Sequence, residues 1–279
     1  MAAGPGGWRG YDRVARDYAR MAARCHLPIA RDLVTLVAVP SGARVLDLGA
    51  GTGVVASVAA DTAGASGSVV ALDPSAALLA QVHHRGVDIV AGSTPGLPFA
   101  DASFDVVTAS LVLGHLDDPR LGLADAARVL RPGGRLGLAS WGRLDDPPPV
   151  DGSGERAAHA VWDTVVARHT DLDRVDEAAA AALPGEAWFA DPARIRLALA
   201  EAGLRSVACT AHTYRVPLTH EDWRQRVGTG ARARFVRSLL DEEESAAVDA
   251  EVLAALRERV PEPIQCVDEV IVTVATAPT

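Results

Sequence analysis

The chain contains no lysine and no asparagine, so every basic side chain other than histidine is arginine. A Schiff-base lysine, a phosphate-binding loop ending in Gly-Lys-Ser/Thr and a Tyr-Lys proton relay cannot be built from it. Asparagine-led motifs that flip and methylate adenine are missing for the same reason. Cysteine is scarce. Cys25, Cys209 and Cys266 are far apart and none sits in a CxxC pair, which argues against a disulfide framework and against a zinc site. No stretch approaches the roughly 20 apolar residues that cross a bilayer. The opening MAAGPGGWRG lacks the basic region and apolar run of a secretory leader. Positive charge is also short: 27 Arg against 36 Asp+Glu gives 27 − 36 = −9, a poor balance for holding DNA or an anionic membrane. These absences lead us to expect a cytoplasmic chain with no nucleic-acid partner and no membrane insertion; a homodimer is compatible with them.

What is present is a chain of 279 residues, 49 % hydrophobic, enough for one large domain or one domain with an added subdomain. Residues 1–10 are Gly-rich and read as frayed. From Tyr11 to about Val39 the apolar spacing is helical, broken or restarted at Pro28. ARVLDLG, GSVVALD, VDIVAG, FDVVTAS and GRLGLASWG read as five strands. Helices are expected between them over Thr52–Asp61, Pro74–His84 and Pro119–Leu130. LDDPPPVDGSG, Leu144–Gly154, is a linker by composition. A helix over 155–169 follows, and 170–187 gives no clear pattern. Asp191–Ala202 is a helix with Asp191 as N-cap and Gly203 closing it. RSVACTAHTYRV is a sixth strand, 219–260 is helical, and VDEVIVTVAT is a seventh strand. The alternation specifies an α/β fold: an open, mostly parallel seven-stranded sheet with helices on both faces. Such sheets bind ligands beyond the carboxyl ends of their strands. That rim would carry the glycine turn, Asp73, Gly92–Thr94 and Ser110.

The turn after the first strand, LDLGAGTG, has Gly49, Gly51 and Gly53 at every second position behind Asp47. A dinucleotide fingerprint would place its third glycine one residue later, where Val54 stands. An acid just before the glycines faces a pyrophosphate badly and suits a ligand with a positive group. S-adenosylmethionine answers that description, having an ammonium, a sulfonium and no phosphate; its carboxylate can lie by the helix amides that follow. Asp73, closing the second strand, can accept both ribose hydroxyls. NAD enzymes use an acid in the same place, and Asp73 can also cap the helix after it.

Taken in order, LDLGAGTG, LDPS, LPF with FDVV, and LRPGG resemble the class I S-adenosylmethionine-dependent methyltransferases. The likeness is to their small-molecule branch, which includes ubiquinone/menaquinone-type and natural-product methyltransferases. It spans roughly Tyr11 to Trp141 and returns weakly at DPARIRLALAEAGLRSV. The resemblance implies a Rossmann-like core over residues 41–143 behind an N-terminal helical lid over 1–40. It also implies a cap or linker insertion over 144–190 and the end of the core over 191–279, with a helical insertion at about 217–260. It implies S-adenosyl-L-methionine as cofactor, S-adenosyl-L-homocysteine as product and no metal. Gly49, Gly51 and Gly53 would pass beside the methionine and ribose, Asp73 would hold the ribose, and Pro74 and Ser75 would flank the adenine. Ser93 stands where relatives carry an aspartate that bonds the adenine amine; its hydroxyl can accept that bond without charge, helped by backbone at Thr94. Ser110 would lie by the methionine end, and Tyr18 matches a lid tyrosine.

Methyl transfer from a sulfonium is an in-line displacement, so the protein chiefly aligns the partners, worth about 7–11 kcal/mol. An oxygen or carbon nucleophile also needs a base. His115, past the fourth strand, is the candidate base, with His159, His169, His212 and His220 as substitutes; His83 and His84 read as helix surface. No His/Asp/Glu spacing suggests a metal site. Trp141, Trp162, Trp188, Phe189, Trp223 and Phe235 supply rings for a pocket holding a small organic acceptor. The arginines of RQRVGTGARARF read as a solvated helix face, with an anionic acceptor as the other use. Three functions follow: a methyltransferase for an O, N or C atom of a secondary-metabolite or quinone-like acceptor; a cofactor-binding scaffold or non-methylating enzyme of the same fold; and an NAD-type reductase, which would need the later third glycine.

Overall fold

The computed structural model describes residues 8–142, 153–189 and 191–279. The expected linker over Leu144–Gly154 lies, up to residue 152, outside the described residues, as do the first seven residues of the expected frayed start. A 3-10 turn, Trp8–Arg13, leads into helices α1 (Ala15–Cys25) and α2 (Leu27–Val37), with Pro28 in the first turn of α2. Then come β1 (Arg44–Leu48), α3 (Val54–Ala63), β2 (Ser68–Asp73), α4 (Ala76–Leu79), β3 (Val87–Ala91) and β4 (Phe104–Ser110). They are followed by α5 (Pro119–Val129), β5 (Leu130–Trp141), α6 (Ser153–Val166), α7 (Leu172–Ala182), α8 (Glu186–Phe189) and α9 (Pro192–Glu201). The chain ends with β6 (Arg205–Leu218), α10 (His220–Gly228), α11 (Ala231–Leu239), α12 (Glu242–Arg259) and β7 (Ile264–Thr276).

One seven-stranded sheet runs in the order β3-β2-β1-β4-β5-β7-β6. The first five strands in that order pair in parallel, and β7 is antiparallel to both neighbours. Parallel strands need apolar residues on both faces because helices cover both. Successive residues of β1 show it. Val45 packs in the core under α2 and α3, and Leu46 packs in the opposite core under α5 and α9.

The antiparallel pair is longer than the rest of the sheet. Strand β5 accompanies β7 only from Val270 onward, opposite Trp141, whereas β6 accompanies it back to Ile264, opposite Leu218. The stretch 264–269 with 213–218 therefore projects past the carboxyl rim as a two-stranded ribbon. A third core, built on Trp162, Trp223, Val252 and Leu256, packs on that ribbon and joins α6, α10, α11 and α12 to Met21 and Cys25 of α1. This cap hangs over the rim of the sheet.

Three local expectations change. The helix expected over Pro74–His84 is the single turn α4, because Val82 must pack against the turn at Gly53 and the chain must bend to reach β3. His84 consequently lies off any helix, 3.1 Å from Asp61. The helical stretch 219–260 is three helices. Thr219 and Asp241 each form a capping box that starts a new helix, and Gly230 starts the one between. The stretch 170–187 holds α7 and α8, with Asp171 capping α7. Among the described residues no helix is long and apolar enough to cross a membrane.

Candidate active site

The glycine turn leaves β1 with Gly49, Gly51 and Gly53 at φ of 67°, 55° and 76°, a region side chains rarely adopt. The glycines differ in what they face. A Cβ on Gly49 would fall 2.0 Å from Val112, while a Cβ on Gly51 would meet nothing nearer than the Tyr18 ring at 3.7 Å. Gly49 is a packing glycine and Gly51 opens on a cleft. That cleft is lined by Gly49, Gly51, Asp73, Pro74, Ser110, Tyr18 and His115, with Trp8, Tyr11, Leu78, Leu111 and Val112. Gly53, Ser75, Ser93 and Thr94 stand outside this lining.

Asp73 accepts the Gly51 N–H at 2.9 Å and the Ser75 N–H at 2.8 Å, tying the ends of β1 and β2 together across the cleft. Burial raises its pKa against those two bonds. Ser75 caps α4 and donates its hydroxyl to Asp12 at 2.5 Å, so the Trp8–Arg13 turn is pinned over the cleft. The Thr94 hydroxyl donates to Asp125 at 3.2 Å, within a network that also binds Gly96 and Leu97.

Asp47 does not line the cleft. It is 1 % exposed, accepting the Thr108 hydroxyl at 2.9 Å and the Ala56 N–H at 3.0 Å, where it holds the start of α3. Burial pushes its pKa up to about 7 in spite of both bonds. A carboxylate just before a glycine turn reads from sequence as rim-facing. The pleat of β1 turns it instead toward α3 and β4.

A second and larger cavity lies between the rim and the cap. It shares Tyr11, Tyr18, Leu111 and His115 with the cleft, so the two spaces meet at those side chains. Leu111 has a φ of 57°, the strained left-handed region for a branched side chain, at the partition between them. Rings pass along this wall edge to face: Tyr11 on Tyr18 at 5.1 Å, Tyr18 on His26 at 5.9 Å, and His26 on Trp141 at 6.0 Å.

Of the expected rings, Trp141 and Trp162 line the cavity. Trp223 and Phe189 are buried in the cores, and Trp188 and Phe235 pack against them. Of the expected histidines, His115 and His159 line it. His169 lies beside Glu251, His212 sits on β6 beside Thr210, and His220 donates to the Val260 carbonyl at 2.7 Å. His115 Nε2 lies 3.5 Å from the Tyr11 hydroxyl. Burial first, then the nearby Arg234 charge, pull the His115 pKa down to about 4. Burial does the same to His26, and lowers His159. All three imidazoles are neutral at neutral pH.

The arginines of α10 and α11 correct the reading of a solvated face. Arg226, Arg232 and Arg234 turn into the cavity wall. Arg226 forks onto Asp268 at 2.8 and 2.6 Å, and Arg232 pairs with Asp163 and Asp176 and lies over Trp162 at 4.8 Å. Sequence reasoning also missed Tyr11, His26, Leu111 and Glu186 as lining residues. Tyr11 stands seven residues before Tyr18, a helical spacing that could have flagged it; Glu186 gives no such signal. Among the described residues no group of three or more His, Cys, Asp or Glu side chains is placed to hold a metal ion.

The family model of a methyltransferase domain matches residues 46–138, the stretch from β1 into β5 that builds the cleft. Two curated relatives are demethylmenaquinone methyltransferases. That of Renibacterium salmoninarum is 42 % identical over 113 residues, 40 % of this chain and 46 % of the relative. That of Corynebacterium efficiens is 46 % identical over 100 residues, 36 % of this chain and 42 % of the relative. The chain thus spans less than half the length of these relatives. Among solved structures, an S-adenosylmethionine-dependent methyltransferase from Thermotoga maritima aligns over 96 % of this chain and 99 % of its own, at TM-score 0.53 and 17 % identity. The cyclase SpnF aligns over 96 % and 94 %, at TM-score 0.58 and 16 % identity. At these identities the likeness is one of fold.

Proposed function

We propose, from a chain whose residues 46–138 match the model of a methyltransferase domain, that the protein transfers a methyl group from S-adenosylmethionine to a small, quinone-like aromatic acceptor. The observation that carries this reading is the meeting of a small cleft and a large ring-lined cavity at Tyr11, Tyr18, Leu111 and His115. Two substrates bound on either side of that junction would be held with reacting atoms in line, the main requirement of the reaction.

The residues fit the cofactor. Gly51 leaves room that a Cβ would fill, Asp73 offers a carboxylate whose oxygens keep a free lone pair each, and Pro74 and Ser110 flank the same cleft. Ser75 would act by holding the Trp8–Arg13 turn across the cleft, and Gly49, Gly53 and Asp47 by shaping the turn from behind. Ser93 and Thr94 follow β3 nearby, where the adenine would lie, with the Thr94 hydroxyl committed to Asp125. When bound, S-adenosylmethionine supplies a methyl group already activated on sulfur, which leaves as a neutral thioether. His115, neutral and at the junction, would steady the acceptor there through its contact with Tyr11. The curated relatives' names support a quinone-type ring.

A second reading has its own support. SpnF, a cyclase, wears this fold, so the fold leaves the reaction open. Calorimetry with S-adenosylmethionine and S-adenosylhomocysteine tests the cleft, and label transfer from methyl-labelled cofactor to 1,4-dihydroxynaphthalene tests the chemistry. Cofactor binding with label transfer is expected. Binding without transfer to this probe or to any acceptor in cell extract would favour the second reading, and absence of binding would defeat both.

A further inference from the structure

Glu186 lines the large cavity and also the narrow apolar recess behind Leu111 and Trp141. It is placed there by backbone. Gly185 donates to the Gly114 carbonyl at 2.9 Å, and a Cβ on Gly114 would lie 3.3 Å from the Glu186 Cα. Glu186 is therefore packed against the residue that precedes His115, at the edge of the junction. Among the described residues its carboxylate has no hydrogen-bond or ion-pair partner, whereas Asp47, Asp73, Asp163 and Asp268 are all engaged. A half-buried, unpaired carboxylate facing a cavity is costly to keep unless a ligand completes it.

We propose that Glu186 accepts the hydroxyl proton of the methyl acceptor, and that the acceptor is a hydroxylated aromatic ring. This rests on the large cavity being the acceptor site. The wall explains the choice of ring and of hydroxyl. Trp141, Trp162 and Tyr11 offer faces and edges to a flat ring. Arg226 and Arg232 are matched by Asp268, Asp163 and Asp176, but Arg234, over the Tyr11 ring and acting on His115, brings positive charge to the junction, which disfavours an ammonium and favours an oxygen about to become anionic. His115 is the rival for the proton. Its Nε2 looks at Tyr11, and its Nδ1 turns toward the Ala182 backbone without reaching hydrogen-bond geometry. Burial and Arg234 make it a poor proton acceptor, while burial, the sole cause acting on Glu186, makes that carboxylate a better one. The usual order of the two side chains is thus narrowed or reversed. In the step, the acceptor O–H bond breaks, its proton moves to a Glu186 Oε and its electron pair stays on the acceptor. That pair would then form the bond to the transferred methyl, from oxygen or from a conjugated ring carbon that afterwards loses its own proton to solvent, as the methyl–sulfur bond breaks and leaves its electron pair on sulfur.

Binding of two chromophores tests this without turnover: 4-nitrophenol, and 4-nitroanisole, which has no hydroxyl. Titrations run at a pH above the Glu186 ionisation and below that of the free phenol. Glu186→Gln should weaken 4-nitrophenol about tenfold or more and leave 4-nitroanisole within about twofold, with Glu186→Asp recovering part of the loss. Thermal melts verify that each variant is folded. Equal loss of both probes, loss of neither, or a wild-type protein that binds neither overturns the proposal. Calorimetry with S-adenosylmethionine on the same preparations reports separately on the methyl-transfer reading.

Discussion

The guanidinium of Arg234 lies over the Tyr11 ring, 3.8 Å from carbon to centroid. One contact thereby joins the cap, through α11, to the turn that closes the cleft. Tyr11 also touches Tyr18 and His115, so it is the hinge pin of the junction. Cation–π contacts are worth about 0.5–2 kcal/mol. Tyr11→Leu should therefore weaken S-adenosylmethionine binding by about three- to thirtyfold, measured by calorimetry. An unchanged affinity would mean that the turn does not cover the cofactor.

Asp73 lines the cleft, whereas Asp47 is buried behind the turn. Charge-assisted hydrogen bonds contribute about 1.5–3 kcal/mol. Asp73→Asn should cost about tenfold to a hundredfold in cofactor affinity, and Asp47→Asn less than about threefold. Asp47 has a further signature. Its folded pKa of about 7 lies above its ordinary 3.8, so its contribution to stability is present at low pH and is lost as pH rises through about 7. Asp47→Asn should therefore melt higher relative to wild type at pH 8 than at pH 5. The opposite order would contradict the burial argument.

His26 works in the other direction. Its folded pKa of about 4 lies below the ordinary 6.5, so its stabilising contribution is present above about 6.5 and is lost as pH falls toward 4. His26→Phe keeps a ring against Tyr18 and Trp141 and removes the titration. Melting curves between pH 7 and pH 4 should show the variant losing less stability than wild type, by on the order of 2 kcal/mol.

The glycines divide by experiment too. Gly49→Ala places a methyl group 2.0 Å from Val112 at a φ of 67°, which should destabilise the fold by about 2–4 kcal/mol. Gly51→Ala meets only the Tyr18 ring at an ordinary contact distance and should cost only the backbone strain, about 1–2 kcal/mol, while filling the cleft. Thermal melts and cofactor titrations read the two effects apart. Equal melting losses with intact binding in both variants would erase the distinction.

What the amino-acid sequence determined by itself is everything that local physics decides. Alternating strands and helices, the strand into a three-glycine turn, the Pro119 helix start and the capping acid Asp191 are short-range effects, and each holds in the structure. The parallel sense of β1 to β5 follows from that alternation; the place of β7 between β5 and β6, antiparallel to both, does not. Tertiary structure alone decided which way the side chains at the rim turn. Asp47 points away from the cleft because neighbouring strand β4 and helix α3 offer it Thr108 and an amide. Arg226, Arg232 and Arg234 point inward because the β6–β7 ribbon overhangs the sheet and carries the cap back across it. Glu186 reaches the junction for a similar reason: a backbone bond to Gly114, 71 residues earlier by 185 − 114, seats α8 there. Such placements depend on partners far along the chain, and periodicity, propensity and capping act over a few residues only.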